Sequence, residues 1–234
     1  MSTLISSPIF SVMISLIAFE IGCFLYKKTN FPIFNPLLVA MIIVIILLKI
    51  FNISIATYNK GGDLINFFLT PSTVILAVPL YKKLQLLKEN AVPIIIGILV
   101  GSSTGMFCII ILCRIFLIPK NIDLSLIPKS VTTPIGMEVS RQLGGVPPIT
   151  VAAIIITGII GAVVGPVVFK ALRIKDPIAK GIALGTSSHA IGTTKAIEMG
   201  EIEGAMSSLA IGVAGLLTVI LAPIMSRIFS SLIK

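Results

Sequence analysis

Apolar residues run through this chain in long blocks, and short polar stretches divide them into eight candidate elements. These fall at about residues 8–26, 34–51, 63–81, 91–116, 128–143, 148–172, 177–199 and 205–232. Most blocks approach the roughly 20 apolar residues that a helix needs to cross a bilayer. The fifth does not, because it is short and carries Lys129, Glu138, Arg141 and several hydroxyls. The seventh has suitable length but a polar middle: Thr186, Ser187, Ser188, His189, Thr193, Thr194 and Lys195 all fall between Gly185 and Lys195. In the third, Thr70-Pro71-Ser72-Thr73 interrupts the apolar run in the same way.

Composition places these blocks in a membrane. Hydrophobic residues make up 56% and charged residues 12% of the 234 positions, with a mean hydropathy of +1.12, so the expectation is an all-α, polytopic membrane protein. The N-terminal MSTLISSPIF lacks a basic leading region and a small-residue cleavage site, and reads as the start of a first span. Cys23, Cys108 and Cys113 sit inside apolar runs as small hydrophobes, so neither a disulfide framework nor a metal site is expected.

The net charge of +9 is scattered over short connections, which argues against a nucleic-acid face. It follows the positive-inside rule instead. Three connections are basic, holding Lys27 and Lys28, then Lys82, Lys83 and Lys88, then Lys170, Arg173, Lys175 and Lys180. For all three to face the cytoplasm, the chain must cross an even number of times between the second and the third. Elements four, five and six would make three crossings, so element five is expected to enter and leave on one side as a re-entrant segment. About seven transmembrane helices remain, with an outside N-terminus and an inside C-terminus. Elements two to four (about 34–116) and six to eight (about 148–232) then form antiparallel triplets, the pattern of an inverted repeat with broken helices, within a single domain over 1–234.

The polar breaks carry the candidate chemistry. Thr70-Pro71 and Thr133-Pro134 place a capping hydroxyl directly before proline, as at a helix start. A half-helix beginning at membrane depth aims unpaired N–H groups and a positive dipole inward, where a small anion can be held. In element seven a break near Gly185–Ser188 would begin a second half-helix around Ala190. His189, the single histidine, is read either as a satisfied hydrogen-bonder or as a proton carrier or substrate donor. A serine hydrolase is excluded by spacing, since Ser187 or Ser188 and His189 do not face each other on one helix and no Asp lies nearby. Glu20 lies inside the first span, and Glu138 and Arg141 stand at i, i+3, as do Lys195 and Glu198. Each pair reads as a surface salt bridge, with charge or proton coupling as the functional reading of Glu20, Glu138, Arg141 and Lys195. The Gly-x-x-x-Gly spacings are assigned to helix packing.

PKSVTTPIGMEVS (128–140), TGIIGAVVGP (157–166), GIALGTSSHAIGTTKAIEMGEIEGAMSSLAIGVAGLLT (181–218) and, upstream, NPLLVA (35–40) and YNKGGDLINFFLTPSTVILAVPLYK (58–82) resemble the LrgB/CidB family over nearly the whole chain. Ile135-Gly136 departs from the family pattern, where Ile-Ala is expected. The resemblance implies a non-enzymatic, multi-pass protein of the bacterial cytoplasmic membrane with no cofactor, a holin-like partner of the LrgA or CidA kind, and possible homo-oligomers. It implies one of two activities. One is passage of a small monocarboxylate such as pyruvate, glycolate or lactate, since LrgAB-type systems are linked to pyruvate and the plastidal glycolate/glycerate translocator has an LrgB-like part. The other is antiholin-like regulation of murein hydrolase activity and autolysis. The spread of polar interruptions favours the carrier. The candidate substrate-binding residues are Thr70, Ser72, Thr73, Ser130, Thr132, Thr133, Ser187, Ser188, His189, Thr193 and Thr194.

Overall fold

The computed structural model describes residues 7–29, 34, 36–68, 71 and 77–231. Thr70, Ser72 and Thr73, the break expected in element three, lie outside the described residues. The chain divides into two compact units at Ile75–Leu76.

In the first unit, α1 (Pro8–Thr29), α2 (Pro36–Ile50) and α3 (Ile55–Phe67) pack together. Proline opens α1 and α2, where its missing N–H has no intrahelical partner to lose. Ser54 caps α3 by accepting from Thr57 N–H at 3.1 Å. Small residues set the close contacts: a methyl on Gly22 would lie 2.6 Å from the Pro36 carbonyl oxygen, and one on Gly61 would run into that of Pro8. Ser15 and Tyr58 share a hydrogen bond of 2.7 Å beside the Ala18–Ala40–Val44 core.

The second unit contains α4 (Ala77–Lys82), α5 (Leu84–Glu89), α6 (Ala91–Ile115), α7 (Lys120–Leu126), α8 (Thr133–Leu143), α9 (Pro147–Ala171), α10 (Pro177–Met199) and α11 (Glu201–Ser231). Among the described residues, four helices are long and apolar enough to cross a membrane: α1, α6, α9 and α11 over Glu201–Ile228. Large side chains such as Ile95, Ile96, Ile156, Leu216 and Ile220 point outward, while Ala205, Ser207, Ala210 and Ala214 are buried. That inversion of size suits lipid outside and close helix packing inside.

The helices α6 and α11 run side by side in the same direction. Ile94 and Ile98 meet Ala205, Met206 and Ala210 near their starts, and Met106 and Ile110 join Ala222 in a second cluster further along. Element five folds back, as expected from the charge pattern, and it is longer than expected. Its entering limb is α7, which brings Ile127 onto Met106 and Ile110. The returning limb is α8, which lies against α9 through Gly136 and Ile154 and through Ser140 and Thr150, whose hydroxyls are 2.7 Å apart. The hairpin closes where Val146 N–H donates to Ser125 Oγ at 2.7 Å. The helix start is one residue earlier than expected: Thr132 is the N-cap, without a side-chain capping bond, and Thr133-Pro134 opens the helix.

Element seven, expected to cross with a break, does not cross. A straight 23-residue helix would separate Leu184 from Ala196 by about 18 Å at 1.5 Å per residue. The two instead share one buried cluster with Phe169. Likewise, a methyl on Gly192 would lie 2.5 Å from the Leu184 carbonyl oxygen and 2.6 Å from Ser188 Cβ. The helix α10 is therefore a hairpin with antiparallel arms, 177–188 and 190–199. Both its ends lie at one end of the unit: Leu86, Ile178 and Ile202 all pack against the Ile94–Ile98–Ala205–Met206 cluster, and Lys83 forms a 3.2 Å salt bridge with Glu201. The fold-back alters the expected topology. With the basic connections placed inside by the positive-inside rule, Glu201 also lies inside and α11 ends outside.

Candidate functional site

The turn of α10 is a single residue, His189, with φ 43° and ψ −133°, inside otherwise helical backbone. Such a conformation costs a non-glycine residue about 1–3 kcal/mol and persists only where its surroundings fix it. They do so from several sides. His189 Nε2 donates to the Ile154 carbonyl oxygen at 2.9 Å. Thr193 Oγ1 donates to the His189 carbonyl oxygen at 3.0 Å and lies 2.7 Å from Ser207 Oγ on α11. A row of glycines on α9 leaves room for the first arm. A methyl on Gly158 would lie 2.7 Å from His189 Cε1, one on Gly165 would lie 2.8 Å from Leu184 Cδ2, and one on Gly161 would run into Ser188 Oγ. On the other flank, methyls on Gly181 and Gly185 would meet the α11 backbone at Glu203 and Ser207. The glycine spacings assigned to packing in elements six and seven are used for packing.

The other hairpin's tip, 127–132, arrives at the same level of α9. Gly136, just past it, would place a methyl 2.5 Å from Ile154 Cδ1 and 3.2 Å from the Pro128 carbonyl oxygen. Ile154 is also the acceptor for His189. Here the departure from Ile-Ala has a local correlate: Ile154 fills the space an alanine methyl would take.

Between α6, α9, the α7–α8 tip and the first arm of α10 lies a cavity of about 880 Å³. Its walls include Ile94, Met106, Ile127, Ile160 and Ile182, with Asn90 and Asp176 among its polar groups. Asp176 caps α10 by accepting from Ala179 N–H at 2.7 Å. Further along are Ser102, Lys129, Ser130, Thr157, Thr186, Ser187, Ser188 and Thr218. Lys129 is partly buried and its Nζ donates to Ser130 Oγ at 3.3 Å. Among the described residues it makes no salt bridge. Ser102 Oγ and Thr186 Oγ1 are buried without hydrogen-bond partners among the described residues. A hydroxyl left so costs about 1–3 kcal/mol, and an ammonium at membrane depth about 2.5–3.5 kcal/mol on insertion scales.

The structure thus gathers Ser130, Ser187 and Ser188 of the expected residues at one cavity. His189 and Thr193 are buried behind it and hold the hairpin turn. Thr194 is exposed and bonds to the Ala190 carbonyl, while Thr132 and Thr133 flank the α8 start outside the cavity lining. Glu138 and Arg141 form an exposed ion pair of 2.7 Å, and Lys195 pairs with Glu198 at 2.8 Å. Glu20 is exposed on α1 in the other unit. The polar cavity groups that were not among the candidate binding residues are Asn90, Ser102, Lys129, Thr157, Asp176, Thr186 and Thr218. Two signals pointed to Ser102 and Lys129: the hydroxyl run Ser102-Ser103-Thr104 at the middle of an otherwise apolar span, and a lysine directly before the SVTTP motif.

Spanning helices, two hairpins meeting tip to tip and a partly polar cavity between them define a multi-pass α-helical membrane protein with a built internal site. Its sequence matches the LrgB-like family over residues 15–228, and the chain belongs to that family. It is 42% identical over 219 residues to the antiholin-like protein LrgB of Bacillus subtilis, covering 93% of this chain and 95% of that one. It is 41% identical over 218 residues to antiholin-like LrgB proteins of Bacillus cereus and Bacillus anthracis, with the same coverage. No solved structure matches.

Proposed function

We propose that this chain is a non-enzymatic, antiholin-like protein of the bacterial cytoplasmic membrane, acting with a holin-like partner and so on murein hydrolase activity. The observation that carries this reading is similarity at 41–42% identity over nearly the full length to proteins named antiholin-like. A second reading concerns the molecular event, and the cavity favours it. Two hairpins entering from opposite ends and meeting at a site with hydroxyls and a lysine suit alternating access, with each hairpin controlling one entrance. On this reading the solute is a small monocarboxylate, and effects on autolysis follow from its flux.

Purified chain in proteoliposomes, with and without a holin-like partner, separates the two. Labelled pyruvate, glycolate and lactate uptake is measured beside release of an encapsulated dye. Saturable uptake without dye release supports the carrier. Dye release that depends on the partner and is suppressed by this chain, with no saturable uptake, supports the antiholin-like regulator acting alone.

A further inference from the structure

We propose that Lys129, with the hydroxyls of Ser102 and Thr186, forms the binding site for the carboxylate group of a small monoanion. The proposal rests on the carboxylate reading above and identifies the groups that would recognise the ligand.

Three observations converge. Among the described residues, Lys129 is the one cationic side chain that lines the cavity, and no carboxylate pairs with it. Ser102 and Thr186 are 93% and 94% buried, line the same cavity and have no hydrogen-bond partner among the described residues. Buried hydroxyls and a desolvated ammonium are kept at a functional site when a ligand completes them. The three come from three separate elements, α6, the α7–α8 tip and the first arm of α10, so the site is formed by the packing of the unit rather than by one helix end.

The surroundings narrow the ligand. A single cation suits a single negative charge. The cavity's acidic side chain, Asp176, caps the start of α10, about 15 Å along that arm from Thr186 at 1.5 Å per residue, so it does not neutralise the lysine locally. The Ile94, Met106, Ile127, Ile160 and Ile182 side chains leave apolar wall for a short carbon chain, a surface that chloride or inorganic phosphate would not use. Ser130, already bonded to the Lys129 ammonium, fixes the direction of that charge.

The test is equilibrium binding of radiolabelled pyruvate to the detergent-purified full chain, with Lys129→Met, Lys129→Arg, Thr186→Val and Lys120→Gln variants. Each variant is first checked for monodispersity and melting temperature. The expected result is at least tenfold weaker binding for Lys129→Met, recovery to within threefold of wild type for Lys129→Arg, and a severalfold loss for Thr186→Val. Lys120, exposed on α7 away from the cavity, provides the charge control, and its variant should bind as wild type. Unlabelled acetate and lactate should compete, whereas pyruvamide, chloride and phosphate at equal concentration should not. Wild-type-like binding by folded Lys129→Met, displacement by chloride or phosphate, or no binding by the wild type would overturn the site. Should Lys129→Met not fold, undiminished binding by Thr186→Val overturns it alone. Binding that depends on Lys129 without uptake into proteoliposomes removes the carrier and leaves the site, while uptake indifferent to Lys129 does the reverse.

Discussion

Replacing Gly192 by alanine tests the fold-back of α10 through the sign of its effect. In the hairpin, the new methyl would stand 2.5 Å from the Leu184 carbonyl oxygen and 2.6 Å from Ser188 Cβ. Neither neighbour is the far end of a flexible side chain, so the arms must part by most of an ångström. Overpacking of this kind costs about 1–3 kcal/mol. At about 2–4 °C per kcal/mol for a chain of this size, melting should fall by roughly 2–12 °C. In a straight crossing helix, residues 184 and 192 would be about 12 Å apart. Alanine would then stabilise by about 0.5–1 kcal/mol, because it restricts the unfolded backbone more than glycine does. Gly212→Ala on α11 supplies the reference for that gain, since no neighbouring atom lies within 4 Å of its methyl. The assay is thermal unfolding in detergent, followed by circular dichroism at the helical band and by size-exclusion recovery. A Gly192→Ala protein that melts at or above wild type, alongside a stabilised Gly212→Ala, refutes the hairpin.

Cysteine labelling checks the same element by topology. In a background without native cysteines, Lys175→Cys and Glu203→Cys should both be shielded from an impermeant reagent added outside cells, and Asn121→Cys should react. Reaction of Glu203→Cys from outside restores the crossing helix. Thr193→Val removes the 2.7 Å bond to Ser207 and the bond to the His189 carbonyl, and should lower stability by about 1–3 kcal/mol, read as a lower melting temperature. An unchanged melting temperature would mean that these bonds do not hold the turn. Glu138→Gln removes an exposed ion pair and should leave both melting and pyruvate uptake as in wild type. A change in the pH dependence of uptake would instead restore Glu138 as a coupling group.

Periodicity and charge carried much of the architecture. Apolar length located α6, α9 and α11 to within a few residues, because lipid rewards length directly. Parity of the basic connections revealed the element-five hairpin, because loop charge responds to sidedness. That parity could not expose α10, because the stretch Gly200–Gly204 contains no lysine or arginine to count. Its fold-back depends on glycines at 158, 161, 181, 185 and 192 meeting partners distant in sequence, and their spacing alone fits ordinary helix packing equally well. The polar residues of the GTSSHAIGTTK segment were recognised as a group, but not divided between cavity and scaffold. Thr186, Ser187 and Ser188 line the cavity, whereas His189 and Thr193 fasten the turn. Lys129 reads in the sequence only as part of a short and unusually polar element, since nothing local distinguishes a tip lysine from a loop lysine; its place on the cavity wall comes from the packing of the unit.

The salt bridge between Lys83 and Glu201 carries a consequence for biogenesis. It ties the connection before α6 to the first residue of the last long helix. The polar arms of α10 cannot enter lipid alone, since their backbone turn and hydroxyls need protein around them. They acquire that protein only when α11 has been made, because Gly181, Gly185 and Thr193 all rest on it. The central hairpin is thus the last part of this unit to assemble during synthesis.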